Sequence, residues 1–450
     1  MVELEKATKE TLGVVRGYIH PEGFESSQST RVWRVICLIA QIIMGCVFIF
    51  SGLMKGIDPM GTAIKIAEYS ASFGWNMPEG LSVVAAVTLN VLEALLGCCL
   101  ILGVTPRLTG ALTLFLMSVM TLLTLYIVIY NPVKDCGCFG DALKITNTQT
   151  FLKNLILLPI AILLWVKRRR WVRVLDEGWD VALIALTILL LVNFNIYALR
   201  HLPVIDFRPY KVGSDLEELT LTGGSDGEYE YLFVYEKDGV EKTFTLEELE
   251  GVDESWIYVR DETKVIKEAE QPEGSDFVLL REDGSNAMES LAYDKGHALL
   301  LISPDFTKVK RKQLERFIDF QEKAGVAFDL VISNRRNIWD TEYYQPYEHA
   351  FGKILFLDKT TAKTVIRSNP GLVVIDGGKI VRKLSARDLR KALKQDSFVE
   401  NPFQPQKGSE PIKRYLAVFL PLVLYVVGII IAGLLHQYYR RQLRKTLNNK

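Results

Sequence analysis

Residues 81–104 read LSVVAAVTLNVLEALLGCCLILGV, an apolar run long enough to cross the hydrocarbon core of a bilayer as one helix. Five other runs share this composition, which is too apolar for an ordinary soluble domain. We place the six predicted transmembrane helices at 33–54, 81–104, 108–130, 150–166, 180–199 and 415–435. The chain is therefore predicted to be a multi-pass α-helical membrane protein whose first four transmembrane helices form a bundle.

The fourth run is the shortest and contains Pro159, so a re-entrant or interfacial helix is an alternative to a full crossing. The basic residues favour the crossing, because it puts every cluster of Lys and Arg beside a cytoplasmic helix end. These clusters are Arg31 and Arg34, Arg107, residues 167–173 and residues 440–445. We therefore expect a protein of the cytoplasmic (inner) membrane, with both termini cytoplasmic and residues 200–413 extracytoplasmic.

Composition changes divide the chain into seven segments. We predict a cytoplasmic tail (1–30), a four-helix membrane domain (31–170), a fifth transmembrane helix (171–200), a small β-rich segment (201–270), an α/β domain (271–400), a linker (401–414) and a last transmembrane helix with a basic tail (415–450). The 53 basic and 53 acidic residues balance, so no global charge indicates nucleic acid as a partner.

The loop between the third and fourth helices reads DCGCFGD at residues 135–141. Two thiols one residue apart at a membrane surface favour thiol–disulfide exchange, because so small a ring strains the disulfide and makes it a better oxidant. We take Cys136 and Cys138 as the catalytic candidates. The residues expected to support them are Gly137, Phe139, Gly140 and Asp141, the two glycines because they leave the backbone free and the sulfur atoms open to attack.

Other interpretations of this loop stay open. The acidic neighbours would disfavour a thiolate, and a pair that only packs the loop is the structural alternative. Two thiolates without a nearby histidine cannot fill a tetrahedral zinc shell, so no metal is expected.

Glu93 lies in the second predicted helix, where a carboxylate is costly unless it faces the bundle interior and has a partner. It could act on a bound quinone, or it could simply be paired with Asn90 or Lys55. Lys55 itself is expected to snorkel towards the outer interface. Four further cysteines are expected to be small hydrophobic residues of the helices, namely Cys37, Cys46, Cys98 and Cys99.

The strings FSGLMKGIDPMG, NVLEALLG, TPRLTGALTL and DCGCFGD resemble the DoxX/MauE family of four-helix membrane proteins over about residues 33–166. For MauE-like members the resemblance implies disulfide formation in a partner protein during methylamine dehydrogenase maturation. For DoxX-like members it implies quinone-linked sulfur oxidation. The large domain after residue 200 and two extra helices depart from the family pattern.

Residues 205–270 favour a small β-rich piece. Alternation over 229–235, followed by Asp238-Gly239 and another short run, predicts a hairpin. A strand at 255–259 and a short helix or turn in TLEELEGV complete this segment.

From residue 271 the pattern changes to alternating strands and helices, which favours an α/β layer fold. The predicted elements are strands at 276–285 and 297–302, a helix at 307–325, strands at 328–332 and 354–357, a hairpin at 371–384 and a helix at 385–394. Asn369-Pro370-Gly371 before the hairpin resembles the thioredoxin-like domains of the TlpA type, in which this proline is cis.

Where that family carries Cys-X-X-Cys, this chain has Ser303-Pro304-Asp305-Phe306. The resemblance therefore implies a domain that binds or positions a client protein, with Pro370 as the candidate contact, unless the domain is a relic. His297 is expected to be a satisfied edge or core residue and not a ligand.

Two functions follow from the sequence. In the first, the Cys136/Cys138 pair is oxidised by a membrane acceptor such as a quinone and passes the disulfide to an extracytoplasmic client protein. In the second, the chain is a non-enzymatic membrane scaffold or assembly subunit whose thioredoxin-like domain docks a partner, which could be a subunit of a membrane complex.

Overall fold

The computed structural model describes residues 28–133, 136–221, 228–237, 240–245, 256–267, 277–333 and 351–405, with isolated helical residues between 416 and 442. Two compact units are present. One, called the helical unit, comprises Met1–Lys55, Lys65–Val192 and Leu424–Lys450, and the other, called the sheet unit, comprises Gly56–Ile64 and Asn193–Val423.

Six helices account for most of the first 200 residues. They are α1 (Gln28–Ile57), α2 (Pro59–Ser72), α3 (Glu79–Leu102), α4 (Pro106–Tyr130), α5 (Asn147–Val166) and α6 (Asp180–Arg200). All except α2 are long and apolar enough to cross a membrane, which confirms the first five predicted apolar helices. Helix α5 continues through Pro159 for 20 residues. Within the sixth predicted helix (415–435), the structure describes a shorter apolar helix at Leu424–Gly433. The rest of this range lies largely outside the described residues.

Helix α2 begins at the dipeptide Asp58-Pro59, which is equally typical of a turn. Pro59 opens a helix of 14 residues, a position that suits proline because the first helical N–H has no intrahelical acceptor. An Oδ1 atom of Asp58 accepts a hydrogen bond from the Gly61 N–H at 3.0 Å and so caps this helix. The dipeptide marks the junction between two helices.

Helices α1 and α3 approach each other to near backbone contact in the helical unit. A Cβ on Gly52 would lie 2.5 Å from the Ala94 nitrogen, and a Cβ on Gly97 would lie 2.7 Å from the Ile49 nitrogen. Such contacts need small residues, as is usual between transmembrane helices. Around this contact Met44, Phe48, Leu100 and Leu164 belong to one buried apolar cluster.

Helix α4 presents a face of large apolar side chains that are mostly exposed. Phe115, Leu122 and Ile129 follow one another at seven-residue intervals and are 66%, 67% and 63% exposed. Seven residues are close to two turns, so these side chains lie on one side of the helix. In a protein that spans a bilayer, this side faces lipid.

The β-rich segment forms a three-stranded antiparallel sheet. Strand β1 (Glu228–Lys237) lies between β2 (Val240–Thr245) and β3 (Ile257–Lys267). The pairing of β1 with β2 confirms the predicted hairpin, and β3 starts two residues later and extends further than predicted. Asp238-Gly239 and nearly all of TLEELEGV lie outside the described residues.

A five-stranded mixed sheet forms the centre of the sheet unit. Its strands are β4 (Ala298–Ser303), β5 (Phe328–Ile332), β6 (Phe351–Phe356), β7 (Gly371–Asp376) and β8 (Lys379–Leu384). The strand order is β6-β5-β4-β7-β8; β4 pairs in parallel with β5, β5 pairs in parallel with β6, and β7 is antiparallel to both β4 and β8. The α/β layer prediction and the closing hairpin are therefore confirmed.

Short helices pack around this sheet. They are α7 (Leu216–Leu221), α8 (Met288–Ala292), α9 (Arg311–Ala324), α10 (Lys359–Val365), α11 (Ala386–Ala392) and α12 (Asp396–Glu400). Strand β4 is buried on both faces: Leu300 and Ile302 belong to one apolar cluster, and Leu299 and Leu301 belong to another. A continuous apolar run at the centre of a sheet covered on both sides is typical of parallel pairing.

The prediction of a strand at 276–285 is wrong. Phe277 and Leu279 are buried, and Val278 and Leu280 are exposed, so the alternation is present. Only Leu280 forms β-bridges, one to Asn286 and one to Phe356. The segment then turns back on itself, because the Arg281 N–H donates to the Ser285 carbonyl at 2.8 Å instead of continuing a ladder.

Buried charges join the segment after α6 to the sheet. The Nζ atom of Lys383 lies 2.8 Å from Asp206, which also accepts a 2.8 Å hydrogen bond from the Arg208 Nε. Burial alone would raise the pKa of Asp206, but Lys383 and Arg208 more than offset it and lower this pKa to about 2. Burial lowers the pKa of Lys383 to about 8, although Asp206 acts in the opposite direction. Both groups are therefore charged at pH 7.

Candidate functional site

The loop that carries the two adjacent thiols begins where α4 ends. Cys136 and Cys138 are joined as a disulfide, with their Cα atoms 5.5 Å apart. Gly137 lies between them with φ of 62°, in the left-handed region that glycine adopts without strain. Cys136 is 9% exposed, and Cys138 is only partly buried. Of the two sulfur atoms, that of Cys138 belongs to the more accessible residue.

Hydrogen bonds from two helices fix the backbone on either side of Gly137. The Tyr69 hydroxyl on α2 donates to the Cys136 carbonyl at 2.8 Å, and the Ser51 hydroxyl on α1 lies 2.7 Å from the Cys138 carbonyl. A Cβ on Gly137 would lie 3.2 Å from the Cγ of Lys65, so a larger residue would also have to displace this side chain. Hydrogen bonds from α1 and α2 thus hold the main chain of the loop.

Phe139 anchors the loop in the helical unit. Its ring is 8% exposed and lies 5.4 Å from the ring of Phe50. The Nζ atom of Lys153 on α5 lies 4.4 Å from the centroid of the same ring, which is a cation–π distance. Gly140 follows with φ of 58° and opens a 3₁₀ turn through Ala142, in which Asp141 is partly exposed.

Glu93 forms a buried ion pair with Lys55. The Lys55 Nζ lies 2.7 and 2.9 Å from the two carboxylate oxygens, and both side chains are less than a tenth exposed. The expectation that Lys55 snorkels to the interface is therefore wrong, because its ammonium group points into the bundle. One of the two partners proposed for Glu93 is confirmed.

Ser51 connects this ion pair to the cysteine loop. Its hydroxyl lies 2.7 Å from Glu93 Oε2 and 2.7 Å from the Cys138 carbonyl oxygen. A serine hydroxyl has one hydrogen, so it donates to only one of these two acceptors at a time. Charge at Glu93 and the position of the Cys138 backbone are therefore coupled through a single side chain.

These groups line a narrow pocket of about 40 Å³ in the helical unit. One wall carries polar groups, and the others are apolar side chains of α1, α4 and α5. The residues that line it are Val47, Phe48, Ser51, Lys55, Glu93, Leu116, Met117, Met120, Cys138, Phe139, Lys153, Asn154 and Leu157. An apolar pocket with a few convergent polar groups is the usual form of a small-molecule site.

Sequence reasoning missed Ser51, Tyr69 and Lys153. Lys153 carried a readable signal, because a lysine inside a predicted transmembrane helix is a functional candidate by default. Ser51 and Lys55 lie one helical turn apart and so share a face of α1. That this face meets Glu93 depends on the tertiary register between α1 and α3.

The remaining cysteines lie away from this loop in the sequence and are free. Cys37 and Cys46 lie on α1, Cys98 and Cys99 lie on α3, and Cys46 is exposed. They match the expectation of unpaired residues within helices.

In the sheet unit, the Asn369–Pro370 peptide bond is cis, as the resemblance implied. Asn369 ties this loop to the segment after β4, because its Nδ2 donates to the Asp305 carbonyl at 2.7 Å and its Oδ1 accepts from Ser303 at 2.6 Å. Pro370 lines a much smaller pocket, of about 10 Å³, with residues of α9 and α11. His297 is exposed and pairs with Asp376, which agrees with the expected satisfied edge residue.

Comparison with known proteins matches part of each unit to a family. Residues 33–167 match the model of methylamine utilisation protein MauE. This match covers helices α1 to α5 and the cysteine loop, so the helical part of the chain is MauE-like and a multi-pass membrane protein. Residues 229–268 match a domain of unknown function, DUF8463, which covers the three-stranded sheet. No curated protein and no solved structure matches the chain.

Proposed function

We propose that this protein is a membrane-embedded thiol–disulfide oxidoreductase that introduces disulfides into an extracytoplasmic client protein. The observation that carries the proposal is the setting of Cys138: this residue lines an intramembrane pocket, and Ser51 joins its backbone to the buried Lys55–Glu93 pair. A loop needed only for packing would not require a charged pair beneath it, which is costly to bury in a helical bundle.

The exchange takes place in two balanced steps. A client thiolate attacks one sulfur atom of the Cys136–Cys138 disulfide, the S–S bond breaks, and the other cysteine leaves as a thiolate. A second client thiolate then attacks the client sulfur of this mixed disulfide. The client leaves with a new disulfide, and the Cys136/Cys138 pair holds the two electrons. Greater exposure makes Cys138 our candidate for the first attack.

Reoxidation of the pair needs a two-electron acceptor, and we propose a quinone at this pocket. Its walls combine apolar side chains with two charged groups: the Lys153 ammonium could donate to a quinone carbonyl oxygen, and the Glu93 carboxylate could accept from a hydroxyl of the reduced quinol. A quinone bound there supplies the oxidising power by accepting two electrons and two protons. Glu93 would accept a proton from the reduced pair, with the Ser51 hydroxyl, 2.7 Å from Glu93 Oε2, as the relay.

The sheet unit would position the client. A sheet with three parallel strands followed by an antiparallel hairpin, together with the cis Pro370, supports a thioredoxin-like fold. The sequence contains no cysteine after Cys138, so this unit cannot exchange disulfides itself. We assign it client binding at Pro370 on the extracytoplasmic side, with both termini cytoplasmic. The match to the MauE model supports an accessory role of a membrane protein in the maturation of another protein.

A second candidate is a non-enzymatic scaffold or assembly subunit. The burial of Cys136, with its carbonyl held by Tyr69, favours this alternative, because a buried sulfur exchanges slowly with external thiols. In that case the cysteine loop is a packed connection between α4 and α5.

Trapping separates the two functions. Cys138→Ser and Cys136→Ser, expressed as full-length protein in the native host, each leave one thiolate that can attack a disulfide of an oxidised client, release one client thiolate and form a mixed disulfide that no second cysteine of the pair resolves. We expect a higher-mass adduct on non-reducing gels that disappears on reduction. Cys46→Ser is the control, because Cys46 is exposed and lies outside the cysteine loop. If neither variant forms an adduct and the double Ser variant still replaces the wild-type protein fully in the host, only the scaffold function remains.

A further inference from the structure

A second pocket in the helical unit has the opposite chemistry to the first. It is an open pocket of about 620 Å³ and lies between the start of α4 and the segment that joins α5 to α6. Four guanidinium groups and two carboxylates line it, which gives the lining a formal charge of +2 (4 − 2). The residues are Thr105, Pro106, Arg107, Leu108, Arg168, Arg169, Trp171, Arg173, Glu177 and Asp180.

Both carboxylates in this lining form ion pairs with the same arginine, Arg173. Arg173 lies 2.7 Å from Asp180 and 3.5 Å from Glu177. Among the described residues, neither Arg107 nor Arg169 has an ion-pair partner, and both are exposed. The positive charge of the pocket is therefore available to a ligand and is not consumed within the protein.

Hydrogen bonds hold the two walls in register. Gln41 on α1 bonds both polar groups of its side-chain amide to Val172, at 3.0 and 3.2 Å, and the Val174 N–H donates to the Leu102 carbonyl at 3.1 Å. Asp180 accepts from the Thr105 N–H at 3.2 Å while it holds Arg173. The segment after α5 is thus fastened to the turn between α3 and α4. A preorganised arrangement of this kind loses little entropy when an anion binds.

Apolar surface borders the same charges. Leu108 in the lining is 58% exposed, and Val166, at the end of α5 just before the arginines, is 59% exposed. The side chain of Arg168 stacks over Trp165 with 4.5 Å between the guanidinium carbon and the ring centroid. Guanidinium groups beside exposed apolar residues at the end of a transmembrane helix suit a ligand with a phosphate group and acyl chains.

We propose that this pocket binds the phosphodiester headgroup of an anionic phospholipid, with Arg107, Arg168 and Arg169 contacting phosphate oxygens and Leu108 contacting an acyl chain. This site is independent of the cysteine loop. Free phosphate shares the headgroup chemistry, but it would gain nothing from the apolar border.

Native mass spectrometry of the full-length protein in detergent tests the site. The probes are a diphosphatidylglycerol lipid, phosphatidylcholine and inorganic phosphate. We expect the anionic lipid to bind more tightly than phosphatidylcholine. Arg107→Gln should weaken binding of the anionic lipid about fivefold, and the double variant Arg107→Gln/Arg169→Gln should weaken it about 30-fold. The reason is that each basic residue near a membrane surface contributes on the order of 1 kcal/mol to binding. Arg107→Lys should keep most of the affinity.

Arg34→Gln is the matched control, because Arg34 is exposed in the helical unit and does not line the pocket. Equal loss of affinity in this control would mean that only overall charge matters and would overturn the site. Equal binding of phosphatidylcholine would do the same. Displacement of the lipid by millimolar phosphate would redefine the pocket as a small-anion site and refute the lipid assignment.

Discussion

Replacing Lys55 by methionine should strongly destabilise the helical unit. The substitution keeps the length of the side chain and removes its charge, so Glu93 stays buried with Ser51 as its remaining described partner. Both side chains of the pair are less than a tenth exposed, so water cannot solvate the carboxylate without opening the bundle. Loss of one member of a buried ion pair costs about 3–5 kcal/mol.

The double variant Lys55→Met/Glu93→Met should be far more stable than the sum of its two single variants. Removing both charges together eliminates the desolvation cost, and replacing a buried ion pair by apolar residues is often neutral. The coupling energy of this double-mutant cycle should therefore be about 3 kcal/mol, well above the roughly 0.5 kcal/mol expected for independent sites.

Unfolding of the full-length protein by SDS in mixed micelles, followed by tryptophan fluorescence, gives the free energies. Lys144→Met is the control, because Lys144 is exposed on the loop before α5, and its substitution should change the free energy of unfolding by less than about 0.5 kcal/mol. A loss below about 1 kcal/mol for Lys55→Met, or additive single variants, would refute a tight buried pair.

Two further predictions concern each unit separately. Gly52→Ala should destabilise the helical unit by about 1–3 kcal/mol in the same SDS titration, because the new methyl group overlaps α3. The control Gly80→Ala, whose methyl group meets no atom within 4 Å, should be neutral or slightly stabilising. Equal effects of the two substitutions would argue against close contact of α1 and α3. In the sheet unit, the pKa of Asp206 is lowered from 3.8 to about 2, so the ionised carboxylate stabilises the fold above pH 4. This stabilisation is about 2 kcal/mol, and it is lost as the pH falls from about 4 to about 2. Hydrogen exchange of β4 at pH 5 and pH 3, corrected for intrinsic rates, should show this loss in the wild type and not in Asp206→Asn, and a parallel loss in both would contradict it.

Hydropathy predicted the transmembrane helices well because crossing a bilayer imposes a length on each apolar run. Helix α3 was predicted at 81–104 and is found at Glu79–Leu102. Helix α2 was missed, because it has no long apolar run and begins with a dipeptide that is equally typical of a turn. Proline at the first position of a helix and aspartate before it form a start signal that local sequence alone did not distinguish from a loop.

The candidate site was predictable in its cysteines and not in its surroundings. The string at residues 135–141 identified the thiol pair, because two cysteines around one glycine are informative without any tertiary knowledge. The contact of Ser51 with both Glu93 and Cys138 depends on how α1, α3 and the loop pack together. The strand predicted at 276–285 failed for the same reason, since burial alternates there but a neighbouring strand pairs at one residue only.

The lipid-facing side of α4 limits how this protein can associate with copies of itself. From Phe115 to Ile129 the exposed residues form a ridge about 21 Å long, taking 1.5 Å for each residue. Transmembrane helices associate where small residues let their backbones meet, and a ridge of phenylalanine, leucine and isoleucine keeps a neighbour at a distance. Mobile hydrocarbon chains fill the gaps between such bulky groups better than a second rigid helix can. Any homo-oligomer would therefore have to use another side of the bundle, and α4 would remain at its lipid boundary.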